Sequence, residues 1–233
     1  MLANLGRRIG KVLFSGSCFL CRGEAAGILC APCDADLPRL NGSLCPRCAL
    51  ASPQGAVCGR CLTQNPSYDT TLAALAYKFP ADVLVQALKF RGELALAPFL
   101  ADLLLKCISI RRVDCVVPVP LSAARLRARG YNQSLEIARH VARVTGTKLA
   151  AELCERTSDT PAQMDLPLAE RAKNVRGAFH CPRLVAGATI AVLDDVMTTG
   201  ATLDEVAATL KRAGAARVEN WVIARTFPHT PGY

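Results

Sequence analysis

Eight cysteines fall into four C-x-x-C pairs within 44 residues: Cys18/Cys21, Cys30/Cys33, Cys45/Cys48 and Cys58/Cys61. Each C-x-x-C turn sets two thiolates on one side of a tight backbone loop. Two turns complete a tetrahedral S4 shell, the donor set that suits zinc. Four pairs therefore predict two structural zinc ions. The pairs are separated by 8, 11 and 9 residues. Consecutive pairing is the simplest arrangement, and interleaved pairing (first with third, second with fourth) satisfies the same chemistry. An iron–sulfur cluster also takes four thiolates. A thioredoxin-like site needs one such pair beside a βαβ unit, not four in series. The segment has few large apolar residues, so metal has to hold it together, and structural zinc supplies roughly 10 kcal/mol or more of folding free energy.

The Asn-Pro-Ser turn at residues 65–67 marks a boundary. Residues 1–66 read as a small cysteine-rich zinc-binding module and residues 67–233 as a second domain large enough for its own core. The four other cysteines, Cys107, Cys115, Cys154 and Cys181, stand singly and read as small core residues. The longest apolar stretch, Leu94 to Leu105, is broken by Pro98 and Asp102 and is too short to span a bilayer. Leu2, Leu5, Ile9 and Leu13 share one helical face. The first residues lack the layout of a secretory signal, so a cytoplasmic, disulfide-free protein is expected.

From residue 67 onward, strand and helix patterns alternate. Strands are predicted over 71–77, 113–119, 148–154, 189–195 and 217–226. Helices are predicted over 80–90, 93–107, the segment after Gly130, and 202–213, with Gly92, Gly146 and Gly214 as stops. The polar run from Arg156 to Asp165, with Pro161, reads as a loop. Such alternation implies an α/β fold with a parallel sheet covered by helices, whose ligands sit at the carboxyl ends of the strands.

The apolar strand TIAVL runs into Asp194, Asp195, Val196, Met197, Thr198, Thr199, Gly200, Ala201 and Thr202, then a helix. Adjacent carboxylates at a strand end are costly to bury unless they bind hydroxyls or a metal-bound ligand. The Thr-Thr-Gly run at a helix start supplies converging N–H groups and hydroxyls, an anion cradle. One loop thus offers carboxylates for a sugar and donors for a phosphate, which implies a ribose phosphate. The nine-residue string resembles the phosphoribosyl pyrophosphate (PRPP) motif of type I phosphoribosyltransferases. The resemblance implies that Asp194 and Asp195 contact the ribose hydroxyls and that Thr198 to Thr202 enclose the 5-phosphate.

After the strand VDCVV come Pro118, Val119, Pro120, Leu121 and Ser122, then Arg125, Arg127, Arg129 and Gly130. Three arginines in five residues beside a strand end suit a polyanion. In type I phosphoribosyltransferases this position carries the pyrophosphate loop. The strings LKFRGELALAPFLADLL, PVPL, RGYNQS, Thr160–Gln163 and Glu170–Phe179 narrow the resemblance to the ComF family, in which a cysteine-rich zinc module precedes a phosphoribosyltransferase-like domain. Proteins of that family are linked to competence and the uptake of single-stranded DNA. The resemblance implies PRPP or another ribose 5-phosphate as ligand and Mg2+ with it. Single-stranded DNA or a DNA-uptake protein is the further partner implied.

Transfer would displace pyrophosphate at C1, so the charge on the leaving group must be neutralised. Arg129, Arg171 and Lys173 are the residues expected to do so, with Gln163 and Asn174 as hydrogen-bonding groups on a closing loop. The reading names no acceptor. A non-catalytic PRPP-responsive protein that binds DNA or a partner fits the same residues. The net charge of +9 counts neutral cysteines; zinc-bound thiolates would cancel part of it, and much of the rest lies between Arg125 and Arg183.

Overall fold

The computed structural model describes residues 16–108, 112–157 and 175–228. The cysteine-rich segment contains two short strands, β1 (Gly16–Ser17) and β2 (Glu24–Ala25), paired antiparallel, and two short helices, α1 (Ala31–Ala35) and α2 (Gly59–Gln64). Both helices start on a zinc-ligand type of residue, Cys30 and Cys58, as N-cap. Pro32 and the carbonyl of Cys30 fix the entry of α1, because proline is pre-set for a first helical turn.

The main sheet has five strands: β3 (Thr70–Ala76), β4 (Cys115–Pro118), β5 (Lys148–Leu149), β8 (Thr189–Met197) and β9 (Arg217–Arg225). Their order is β3-β9-β8-β4-β5, and every neighbouring pair is parallel. A two-residue ladder, β6 (Glu155–Arg156) with β7 (Phe179–His180), stands outside it. Among the described residues five further helices connect the strands: α3 (Ala81–Phe90), α4 (Leu96–Ile108), α5 (Ala123–Arg129), α6 (Gln133–Thr145) and α7 (Ala201–Arg212).

Successive side chains of a strand point to opposite faces, and β8 shows it. Ala191 and Leu193 join the core under α3, α4 and α6, whereas Ile190 and Val192 join the core under α7. Each fully buried Val, Ile or Leu contributes ~1.5–3 kcal/mol by leaving water. The cysteine-rich segment packs on both cores. Phe19, Leu20, Ile28 and Leu29 lie against the first, and Cys45, Cys48 and Cys61 are part of the second. The chain is thus continuous in packing across residue 66: the Leu40 N–H donates to the Ala74 carbonyl at 3.1 Å and the Thr71 N–H to the Pro46 carbonyl at 3.0 Å.

The α/β architecture and its parallel sheet match the sequence expectation. Four of the five strand patterns form strands of the sheet within a few residues of their expected bounds. The fifth, 148–154, pairs only at Lys148 and Leu149. Its partner β4 is four residues long and pairs with it only through Cys115 and Val116; Pro118, the last residue of β4, has no N–H to extend the ladder. The residues after it turn, with the Leu153 N–H on the Ala150 carbonyl at 3.2 Å. The loop expected from Arg156 instead begins with the Arg156–Phe179 pairing. Helix α5 is an addition. The AARLRAR segment has one large apolar residue, Leu126, so no helical stripe exists to detect. Its helix is set by ends: the Ser122 side chain accepts the Arg125 N–H, and Gly130 closes it at φ +82. Arg129 consequently ends a helix, and Asn132 caps the next by accepting the N–H groups of Ser134 and Leu135. Of the single cysteines, Cys115 and Cys154 are buried as expected, but Cys107 is exposed and Cys181 half-exposed. The amphipathic face of Leu2 to Leu13 lies outside the described residues. Among the described residues no helix is long and apolar enough to cross a membrane.

Candidate functional site

The strand order turns about at β4 and β8: the chain leaves β4 toward β5 on one side, while β8 lies on the other. A crevice opens at the carboxyl ends there, as parallel sheets require. It holds a cleft of about 350 Å³. Its floor is the end of β8, with Asp194, Asp195 and Met197. One wall is the start of α7, and the other is Val119, Pro120 and Leu121 after β4.

The two carboxylates have different surroundings. Asp194 accepts the Ser134 hydroxyl at 2.9 Å and the Asp195 N–H at 3.0 Å through the same oxygen, Oδ1. Burial, and then the neighbouring charge of Asp195, push its carboxyl up to about 7. Asp195 is 3% exposed; its Oδ1 accepts the Val196 N–H at 2.9 Å, and its Oδ2 lies 3.1 Å from the ammonium of Lys89. Burial works against the Lys89 ammonium, but Asp195 and Asp194 outweigh it and raise its pKa. The site is therefore an acidic pair with Lys89 held directly against it.

Beyond Met197 the chain turns through Thr198 and Thr199 to Gly200, the N-cap of α7 at φ +89. A Cβ at residue 200 would stand 2.7 Å from Met197 Cε and 3.2 Å from Tyr68 Oη. Only glycine fits that approach and that backbone conformation. Thr198, Gly200, Ala201 and Thr202 line the cleft. Thr199 stands back from it: its carbonyl accepts the Arg60 guanidinium at 2.6 Å, and its hydroxyl accepts the Ala201 N–H at 3.3 Å. Val196 forms part of the floor, and Met197 is buried behind Gly200.

The residues after β4 divide similarly. Val119, Pro120 and Leu121 face the cleft. Pro118 is the last residue of β4, and Ser122 is buried as the cap of α5. The Val119 N–H is engaged by Leu193 at 2.9 Å and its carbonyl by the Asn132 side chain at 3.0 Å, so this loop is held from both sides. Arg129 reaches the cleft, where it donates to Gln133 and lies over the Phe90 ring at 5.4 Å. Arg125 lines the same cleft. Arg171 and Lys173, with Gln163 and Asn174, lie outside the described residues.

Sequence reasoning left several groups of this site without a role. Lys89 and Phe90 lie in the LKFRGE string and Ser134 in RGYNQS, so the family resemblance held the signal without naming the contact. Tyr77 and Arg156 line the cleft with no motif of their own. Arg225 ends β9 as a buried cation (1% exposed) directly after the apolar run Trp221–Ala224.

The cysteines resolve into two tetrads by consecutive pairing: Cys18, Cys21, Cys30 and Cys33, then Cys45, Cys48, Cys58 and Cys61. Within each, all four Sγ atoms lie within 4.8 Å of one another. Zn–S bonds of about 2.3 Å in a tetrahedron give S–S edges of about 3.8 Å. The Cys21–Cys30 and Cys48–Cys58 separations are both 3.6 Å, so both tetrads fit a zinc ion. Within the second tetrad the thiols are split: Cys48 and Cys61 are raised, first by burial in each case, and Cys45 is lowered. Burial raises the Cys45 thiol, but the N–H groups of Cys58, Cys48 and Arg47 outweigh it and bring it to about 7.

A parallel sheet with an acidic pair and an N–H turn at its carboxyl edge defines a phosphoribosyltransferase-type protein. Residues 95–227 match the phosphoribosyl transferase domain, and residues 9–62 match the double zinc ribbon domain. The chain is 35% identical to the DNA utilization protein YhgH of Salmonella typhimurium, over 91% of this chain and 97% of that one. It is 28% identical to competence protein F of Haemophilus influenzae, over 91% and 98%. Among solved structures it is similar to the glutamine PRPP amidotransferase of B. subtilis, at 21% identity over 54% of this chain and 25% of that chain, with a TM-score of 0.38. The chain belongs to the ComF family, which joins a double zinc ribbon to a phosphoribosyltransferase domain.

Proposed function

We propose that the cleft binds PRPP or another ribose 5-phosphate and that the protein transfers the phosphoribosyl group to an acceptor. The observation that carries this reading is the junction of β8 and α7: two carboxylates and a glycine-ended turn in one cleft. The turn is suited to a 5-phosphate, since N–H groups converge at a helix start. The carboxylates are suited to the ribose hydroxyls, which are neutral donors and lower the cost of the buried acidic pair. Mg2+ would come with the diphosphate. Asp195 is engaged through both oxygens, by the Val196 N–H and by Lys89, so Asp194 would be the carboxylate that holds the ion, with ligand oxygens and water completing its shell. Bound there, Mg2+ supplies charge neutralisation to the leaving group.

In the transfer the acceptor's electron pair forms a bond to C1 of the ribose. The C1–O bond breaks, and pyrophosphate leaves with that electron pair. Arg129 and Arg125 stand along the cleft where a departing anion gathers charge. Arg171 and Lys173 would add to it. The segment 1–66 acts in this reading as the zinc-binding module and residues 67–233 as the transferase-type domain, working in the cytoplasm.

A second reading keeps the ligand and drops the transfer. Phe19, in the first ribbon, has Arg22 at 5.8 Å and Arg91 at 5.7 Å over its ring. An aromatic ring with two guanidinium groups suits a base and backbone of single-stranded DNA. The relatives' names, concerned with DNA utilization and competence, support a role in handling DNA.

Calorimetry with PRPP and Mg2+ on the wild type and on Asp194→Asn/Asp195→Asn tests the shared claim. Binding by the wild type that the double variant loses is expected; absence of wild-type binding overturns both readings. Pyrophosphate release across a panel of bases and amines then separates them. Release with one acceptor selects the enzyme. Silence with every acceptor, together with single-stranded DNA binding lost on chelation, selects the binding protein.

A further inference from the structure

The turn that faces the cleft is held from behind by two arginines that both belong to the surroundings of the second cysteine tetrad. Arg225 ends β9 and is 1% exposed. A guanidinium so deeply buried is costly unless its N–H groups are fully engaged. Its partners are carbonyls: Nε donates to Cys48 at 2.8 Å, and Nη1 donates to Met197 at 2.8 Å, to Thr226 at 2.9 Å and to Thr198. No acidic side chain forms an ion pair with it among the described residues. Arg60 sits in α2 beside Cys61 and donates to the Thr199 carbonyl at 2.6 Å.

Three successive carbonyls, Met197, Thr198 and Thr199, are thus drawn toward the tetrad. In a trans peptide the carbonyl of one residue and the N–H of the next point to opposite sides of the plane. Fixing those carbonyls at the back aims the N–H groups of Thr198, Thr199 and Gly200 away from the tetrad, into the anion cradle. Tyr68 closes the arrangement: it packs in the same core as Cys45, Cys48 and Cys61, and its hydroxyl lies 3.2 Å from the position a Cβ of residue 200 would take. The chemistry of the tetrad completes the arrangement. Four thiolates around one Zn2+ leave a net charge of 2−, and Arg225, hung on the Cys48 carbonyl, is placed to balance it. Among the described residues the first tetrad is joined to the turn by no such hydrogen bond. Its Phe19, Leu20, Ile28 and Leu29 pack on the core of the opposite sheet face.

We propose that Arg225, aided by Arg60, is a positioning residue that couples the second tetrad to the phosphate turn, so that metal at Cys45, Cys48, Cys58 and Cys61 and a ribose phosphate at Thr198–Thr202 each strengthen the other. The proposal rests on the reading that this turn holds a phosphate. The coupling is reciprocal, because linkage between two binding sites must be.

The test uses the full zinc-loaded chain. A chelator removes zinc stepwise, alkylation of the freed thiols identifies the tetrad emptied, calorimetry reads ribose 5-phosphate affinity, and amide hydrogen exchange reads protection at residues 198–202. Affinity and protection are expected to persist while the first tetrad empties, and to fall together, by about tenfold or more in affinity, when the second does. Bound ribose 5-phosphate should slow release of the second zinc alone. Arg225→Met and the surface variant Arg60→Ala should lower affinity and protection with both zinc ions retained; Arg60→Ala serves if Arg225→Met does not fold. Loss on emptying the first tetrad, or unchanged protection on emptying the second, overturns the proposal. Should the wild type fail to bind ribose 5-phosphate, the phosphate reading falls, and the exchange measurement still decides whether tetrad and turn are coupled.

Discussion

The ammonium of Lys89, at the last turn of α3, lies 3.1 Å from Oδ2 of Asp195 at the end of β8. It is a cation held directly against two adjacent carboxylates in the floor of the cleft. Removing one partner of a buried pair leaves an uncompensated charge. Lys89→Met should therefore lower stability by ~1–3 kcal/mol at pH 8, discounted for the 22% exposure of the Lys89 side chain. At pH 5 protonation of Asp194 relieves the pair, so the loss there should be smaller. Urea unfolding at the two pH values checks this, and an equal loss at both would point to packing instead of charge.

Asp194 gives a second pH dependence. Its carboxyl is raised to about 7 in the folded protein, against about 3.9 in an unfolded chain. Between those values the folded state holds the proton more tightly than the unfolded state. Stability must therefore fall as pH rises from about 4 to about 7, and level off above. Asp194→Asn should flatten that slope and be the more stable protein at pH 8. A wild-type stability curve that rises over the window would contradict the assignment.

The positions of these groups were legible in the sequence to different depths, for physical reasons. The run Asp194–Thr202 announces its site because strand, acidic pair and glycine cap are contiguous. The zinc ligands do too, because the C-x-x-C spacing is itself the geometry of half a tetrahedron. Lys89, Ser134, Arg60 and Arg225 were not assigned roles, since their partners are 106, 60, 139 and 177 residues away. Only the fold brings such pairs together, and local spacing carries no trace of them. Helix α5 was missed for the opposite reason: it is local, but its ends and not an apolar stripe define it.

Zinc content and lability form a third prediction. Two S4 shells predict two zinc ions per chain by elemental analysis, with iron absent. The shells differ in access. In the first, Cys18 is buried and Cys21 exposed; in the second, Cys45, Cys48 and Cys61 are all buried. Chelation should therefore release zinc in two phases, the faster one freeing Cys21 and its partners. A single phase, or a stoichiometry near one, would show that the tetrads are not independent sites.

Gly200 combines three demands in one residue: a left-handed backbone at φ +89, contact with Tyr68, and the start of α7. In Gly200→Ala the Met197 methyl can swing away from the new Cβ, because it is the free end of a flexible side chain. The Tyr68 hydroxyl, in a packed core, has less freedom, and the φ strain has no remedy at all. The substitution should cost ~1–3 kcal/mol of stability. Any relaxation that relieves it must tilt the Thr198–Gly200 peptides out of the cleft. Ribose 5-phosphate affinity should then fall further than stability alone explains, at temperatures where the variant is still folded. Calorimetry beside urea unfolding separates the two effects; full affinity in a destabilised variant would show that the turn does not hold the phosphate.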